Sequence, residues 1–211
     1  MAIEVRMRNA RPDDAPVGAA LVRMSFPSEQ VADAVFGLGN PDLARKALRA
    51  FFMRDANRFS YEFAMVAEAG DKVVGMFLGY ASRRIRRLNL NMAFQAPFVY
   101  GLRRALSLAL HSGPLLFELP RPGPGEFYIA HVAVLPGWRD QGIGTMLLAA
   151  AEEKAKAEGL SKCSLDVELG NTGARGLYER LGYKVAGTYT FHAETRRRGI
   201  EGLHRMVKTL H

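Results

Sequence analysis

Arg139-Asp140-Gln141-Gly142-Ile143-Gly144-Thr145 joins two segments of opposite character, and its reading decides the fold. Before it, Glu126–Leu135 (EFYIAHVAVL) is an apolar run rich in β-branched and aromatic residues, the pattern of a buried strand. After it, Met146–Glu158 (MLLAAAEEKAKAE) sets leucines and alanines on one helical face, with Gly159 at the stop. Without a Cβ, Gly142 and Gly144 let the backbone approach a ligand and let its N–H groups converge. They converge at a helix N-terminus, where unpaired donors and the helix dipole favour phosphate. An ordinary strand-to-helix turn would use the same residues, so the choice depends on the next unit.

That unit is Cys163–Leu169 (CSLDVEL), which alternates as a second strand and leads into Asn171-Thr-Gly-Ala174-Arg-Gly-Leu177-Tyr178-Glu-Arg-Leu-Gly182-Tyr183. Taken in order, Arg139-x-x-Gly142-x-Gly144 and Asn171-x-x-Ala174-x-x-Leu177-Tyr178-x-x-x-Gly182-Tyr183 resemble the GNAT superfamily of acyl-CoA-dependent N-acetyltransferases. The resemblance is clear over Glu126–Ala186, extends over Ile3–Ser82 and is absent between them. It implies an α/β (α+β) fold with a mixed, mostly antiparallel sheet flanked by helices. It also implies acetyl-CoA as co-substrate, no metal, and a primary amine of a small molecule or peptide as acceptor.

The resemblance also implies roles for particular residues. Arg139, Asp140, Gln141, Gly142, Ile143, Gly144 and Thr145 would present N–H groups to the pyrophosphate, with the Asp140 carboxylate turned to solvent. In Val132-Ala133-Val134, the backbone of Val132 and Val134 would meet the pantetheine arm and the acetyl oxygen, while the side chains stay in the core. Asn171 would touch the cofactor arm and cap the following helix. Tyr178 lies two helical turns on and would protonate the departing thiolate, work suited to a phenol of ordinary pKa near 10.

The proton acceptor for the amine is less defined. Asp166 and Glu168 share one face of the fifth strand, whereas Glu126 and His131 belong to the fourth. Asp166, in Leu165-Asp166-Val167, stands where ribosomal-protein N-terminal acetyltransferases of the superfamily have a carboxylate in a similar Leu-Glu-Val setting. Asp166 is the candidate on that ground. Elsewhere in the superfamily a fourth-strand Glu does this work; by position that is nearer Tyr128, which cannot replace it as a base. A water relay to bulk is a further option. Cys163 has no paired His in view, which argues against a covalent acyl-enzyme.

Composition narrows the remaining classes. The chain has 211 residues, 48% hydrophobic, long enough for one well-buried domain. No apolar run reaches the ~20 residues that span a bilayer, and MAIEVRMRNARPDD lacks a signal-peptide core. One cysteine excludes an intrachain disulfide and fits a reducing compartment, so the expectation is a cytoplasmic protein without membrane attachment. The net charge of +8 suits a polyanionic co-substrate as well as nucleic acid. The Arg83–Arg87, Arg103-Arg104 and Arg196–Arg198 runs lack interleaved aromatics, which argues against base stacking.

In chain order, Ile3–Arg8 reads as a strand, and Arg11-Pro12-Asp13-Asp14 as a turn whose acids cap a helix over Ala15–Met24. Phe26-Pro27-Ser28 breaks it; Asn40-Pro41-Asp42 opens a second helix to about Asn57. Tyr61–Glu68 and Lys72–Tyr80 form a hairpin around Ala69-Gly70-Asp71. Arg83–Gly125 is an insertion between the third and fourth strands, with Pro97 splitting it, a short helix over Gly101–His111, and a stiff return at Pro120–Gly125. It is a lid over the acceptor pocket, or an apolar packing element or homodimer surface. Lys184–His192 and Leu203–Leu210 close the chain as two strands around Glu194–Glu201. Besides a single N-acetyltransferase domain over 1–211, a catalytically silent acyl-CoA-binding domain, a basic nucleic-acid module and a dinucleotide-binding enzyme stay open. The last wants three glycines near the first strand and a ribose-binding acid about twenty residues on.

Overall fold

The computed structural model describes residues 4–118, 121–191, 196 and 201–211. Seven strands form one sheet in the order β1-β2-β3-β4-β5-β7-β6. They are β1 Val5–Asn9, β2 Ala64–Ala69, β3 Lys72–Ala81, β4 Glu126–Val134, β5 Lys162–Glu168, β6 Lys184–Thr190 and β7 Gly202–Thr209. Every neighbouring pair is antiparallel except β4 and β5. The predicted mixed, mostly antiparallel sheet with an insertion after the third strand is therefore the observed one. Gly70, at φ +58°, makes the tight β2–β3 turn.

Helices cover both faces. One face packs Val74, Phe77, Phe127 and Ile129 against α6 (Ile143–Ala157) and α7 (Thr172–Arg180), with Leu147, Leu148 and Ala151 fully buried. The other packs Val66, Met76, Leu78 and Tyr80 against α1 (Ala15–Met24), α3 (Pro41–Phe52) and α4 (Ile85–Tyr100). Successive side chains of β3 divide between the two cores, as strand geometry requires.

Several expectations are corrected. Residues after Phe26-Pro27-Ser28 form a further helix, α2 (Glu29–Gly37), with the Ser28 side chain accepting from the Val31 N–H. Asp14 does not cap α1 with its side chain; it binds the Arg8 guanidinium and the Arg11 N–H instead. The second expected helix, α3, stops at Phe52, and α6 begins three residues before Met146 because Gly142, left-handed at φ +79°, serves as its N-cap. Pro97 lies within α4 rather than splitting the insertion, and Gly101 at φ +77° ends that helix. A proline removes one donor from the ladder, and the residue four positions earlier, Ala93, is exposed to water that can serve its carbonyl. The following helix, α5, runs Leu102–Glu118, longer than expected. Most of the Glu194–Glu201 connection, together with Ile3, His192, Arg197 and Arg198, lies outside the described residues.

Candidate active site

β4 and β5 pair only from Glu126 against Lys162 to Ile129 against Leu165, although β4 continues to Val134 and β5 to Glu168. Beyond that point the two strands part. On its other side β4 stays paired to β3 through Val134. A bulge at Ala130 shifts this register, Leu78 facing His131 and Gly79 facing Ile129. The Leu135 N–H donates to Val74 of β3 at 2.8 Å, so by strand alternation Ala133 also turns its polar groups to β3. Val132 and Val134 then turn theirs into the gap, and the Val134 carbonyl accepts from Arg139 Nε at 3.2 Å.

The glycine turn opens at the end of that gap. Among the described residues, the N–H groups of Asp140, Gln141, Gly142, Ile143, Gly144 and Thr145 have no protein acceptor; the first helical bond is Met146 N–H to the Gly142 carbonyl, at 3.1 Å. Asp140 is exposed and left-handed, φ +60°. Six free donors in succession, at the start of a fifteen-residue helix, leave a run of backbone N–H groups open to an anion. At Gly142 a Cβ would meet nothing within 4 Å, so the backbone there is open to a ligand. At Gly144 it would come to 3.1 Å from Leu177 Cδ2, so the glycine lets α6 close onto α7.

α7 supplies two further expected residues. Asn171 caps it, its side chain accepting from the Ala174 N–H at 3.0 Å. Tyr178 is 7% exposed, and its ring lies 6.1 Å from that of Tyr183. No described residue hydrogen-bonds the Tyr178 hydroxyl, and burial pushes its pKa up to about 12. A phenol so placed stays protonated at neutral pH and has its proton free to donate. Cys163 is fully buried, its thiol pushed up to about 12 by burial, which disqualifies it as a nucleophile at neutral pH.

Asp166 lies on the opposite face of the sheet. Arg205 of β7, its direct register partner, donates to Oδ1 from Nε (2.5 Å) and to Oδ2 from Nη2 (2.9 Å). The Tyr128 hydroxyl also donates to Oδ2, at 2.9 Å, and the Arg205 guanidinium lies 5.4 Å from the Tyr128 ring centre. Both carboxylate oxygens are thus engaged. Glu126 accepts from the Gly123 N–H, and burial together with the charge of Glu201 raises the Glu168 pKa.

His131 is also on this face. The single Ser25 proton goes to the Val22 carbonyl at 2.6 Å, so Ser25 Oγ must accept from His131 Nδ1–H at 2.7 Å. That leaves Nε2 as a lone pair. The imidazole lies 5.4 Å from the rings of both Phe26 and Phe59. Burial, with the Arg58 charge second, pushes its pKa down to about 3, so it is neutral under physiological conditions. Arg58 donates from Nε to the buried Tyr80 hydroxyl at 2.9 Å. Arg58 and Ser25 have no sequence signal: both lie in aperiodic segments. For Arg205 the only hint was the alternation of β7.

The model of the acetyltransferase (GNAT) family matches residues 30–183. An L-methionine sulfoximine/L-methionine sulfone acetyltransferase of Pseudomonas aeruginosa is 41% identical over 49 residues, 23% of this chain and 28% of that protein. Only a little over a quarter of that relative is therefore spanned. An N-acetyltransferase from Staphylococcus aureus Mu50 superposes with a TM-score of 0.73 at 21% identity, covering 96% of this chain and 99% of the other. A PaiA N-acetyltransferase from Thermoplasma acidophilum, solved in complex with coenzyme A, gives 0.56 at 13% identity over 98% and 99% of the two chains. At these identities the structural likenesses show a shared fold.

Proposed function

The chain belongs to the acetyltransferase (GNAT) family and is an acyltransferase, and from that premise we propose that it moves an acetyl group from acetyl-CoA directly to a primary amine of a small molecule or peptide. The observation carrying this reading is the row of free N–H groups from Asp140 to Thr145 at the mouth of the β4–β5 gap. In the proposed arrangement that row holds the pyrophosphate, with Arg139 beside it. The Val132 and Val134 backbone groups, on either side of Ala133, take the pantetheine amides and the acetyl oxygen, and Asn171 flanks the arm. Holding thioester and amine together supplies most of the acceleration, since a thioester is already activated.

Tyr178 gives its proton to the leaving thiolate, which the absence of any competing bond to its hydroxyl supports. Asp166 ends the path for the amine's proton. The Tyr128 hydroxyl, already donating to Asp166, can accept from the amine as it hands its own proton to the carboxylate. From Asp166, which keeps its ion pair with Arg205, the proton moves on to solvent. A relative named for methionine sulfoximine acetylation supports an amine of modest size as acceptor. A reducing, cytoplasmic setting suits both acetyl-CoA and Cys163.

The reading extends to the chain as a single acetyltransferase domain, with 83–125 inserted as a wall of the acceptor side and a homodimer surface. Calorimetry with acetyl-CoA and a thiol-release assay over amino acids, polyamines and peptide N-termini test the core of it. Absence of both binding heat and acceptor-dependent thiol release would overturn the assignment.

A further inference from the structure

A half-buried guanidinium needs an answering group, because removing a charge from water costs several kcal/mol. Near Tyr128, on the face carrying Asp166, stand two guanidiniums, Arg205 and Arg58, and of these two only Arg205 has a carboxylate partner among the described residues. Asp166 answers Arg205 with both oxygens. Arg58 has no carboxylate partner among the described residues. Its Nε is taken by the Tyr80 hydroxyl, and no described residue bonds its two Nη groups. Burial works against its charge, but the Tyr80 hydrogen bond and the nearby Asp166 carboxylate favour the cation, and Arg58 stays charged.

The chain goes to some length to hold Arg58 there. Asn57, fully buried, shares its two Nδ2 hydrogens among the Phe51 and Arg54 carbonyls and Gln95 Oε1, and its Oδ1 accepts from the Phe59 N–H. From α4, Asn91 Nδ2 donates to the Ala56 carbonyl (3.0 Å) and Gln95 Nε2 to that of Asp55 (2.9 Å). Ala56 is left-handed at φ +56°, a strained conformation for a residue with a Cβ. The inserted helix thus braces the loop that carries Arg58 and Phe59. Beside them stand the aromatic walls Phe26 and Phe59 and the neutral His131, whose Nε2 can accept from an acceptor N–H.

We propose that Arg58 binds a carboxylate of the acceptor, making this an acetyltransferase for amines that carry an acid group next to an apolar portion. The planar fork of two Nη donors matches a carboxylate bidentately. The inference rests on the acetyl-transfer reading and names the acceptor class within it. A carboxylate can belong to the main chain of a free amino acid or to an acidic side chain of a peptide.

The test uses product analogues, so it does not depend on turnover. N-acetyl-L-leucine carries a main-chain carboxylate, N-acetyl-L-isoglutamine only a side-chain one, and N-acetyl-L-leucinamide none. Each is titrated calorimetrically into the full-length protein saturated with CoA. One of the two acids is expected to bind about 30-fold more tightly than the amide, the range of a charge-assisted pair. Arg58→Met, which keeps the apolar stem, should reduce that ratio below about threefold, and Arg58→Lys should leave it between the two. An amide that binds as well as both acids, or a preference that survives in Arg58→Met, overturns the proposal. Failure of the acetyl-transfer reading appears separately, as absent heat with acetyl-CoA in the unsubstituted protein.

Discussion

The chemistry proposed for Tyr178 rests on what does not touch it. A phenol that is nearly enclosed, lacks a hydrogen-bond partner among the described residues and is pushed up to about 12 by burial holds its proton across the working range. Tyr178→Phe should lower kcat by about 10²-fold while leaving the acetyl-CoA dissociation constant within twofold, read by thiol release and calorimetry. His131 makes the opposite prediction, about stability. Its pKa falls from an ordinary 6.5 to about 3 on folding, so between those values the unfolded chain binds a proton that the native state refuses. Stability from this group is complete above about pH 6.5 and is lost as the pH drops toward 3. Urea midpoints measured across that window should fall with acid, and His131→Asn should flatten the fall. At this scale the Asn171 cap and the glycine turn before α6 were legible in the sequence, because caps and turns are local properties. It could not disclose that Asp166 is shared between Tyr128 and Arg205, residues 38 and 39 positions away.

Among the elements, α4 departs most from expectation. Pro97 suggested a break, yet a helix of sixteen residues runs through it and is tied to the 53–60 loop by Asn91 and Gln95. These polar residues give α4 a weak amphipathic pattern, so its boundaries were hard to read locally. Replacing both by Ala removes three hydrogen bonds and should cost roughly 3 kcal/mol, about 1 kcal/mol each, seen as a lower urea midpoint. If the loop positions the acceptor, KM for the amine should rise at least tenfold with acetyl-CoA binding unaltered. The α6 boundary shows another limit. The helix begins at Ile143 because Gly142 is left-handed, and a φ angle is not written in apolar spacing.

On the scale of the molecule, the sheet puts the proposed co-substrate cradle and Tyr178 on the α6–α7 side and Asp166, His131 and Arg58 on the other, with the β4–β5 gap joining them. The α4–α5 insertion leaves Phe94 76% and Phe98 81% exposed, one helical turn apart, with Leu90 a turn before and Leu102 and Leu106 beyond. Exposed aromatics in such a row suit a second copy of the chain. Light scattering should report a dimer, and Phe94→Ser with Phe98→Ser should convert it to monomer; a wild-type monomer at high micromolar concentration would dismiss the dimer.

The order of the strands, the glycine turn that opens α6 and the α7 cap were determined by the sequence alone, since each follows from periodicity or steric freedom within a few neighbouring residues. Tertiary structure alone decided where β4 and β5 part, that Asp166 is already paired, and that Arg58 has no acidic partner among the described residues. Those depend on register between distant strands and on the balance of burial against charge, and both exist only once the chain has closed on itself.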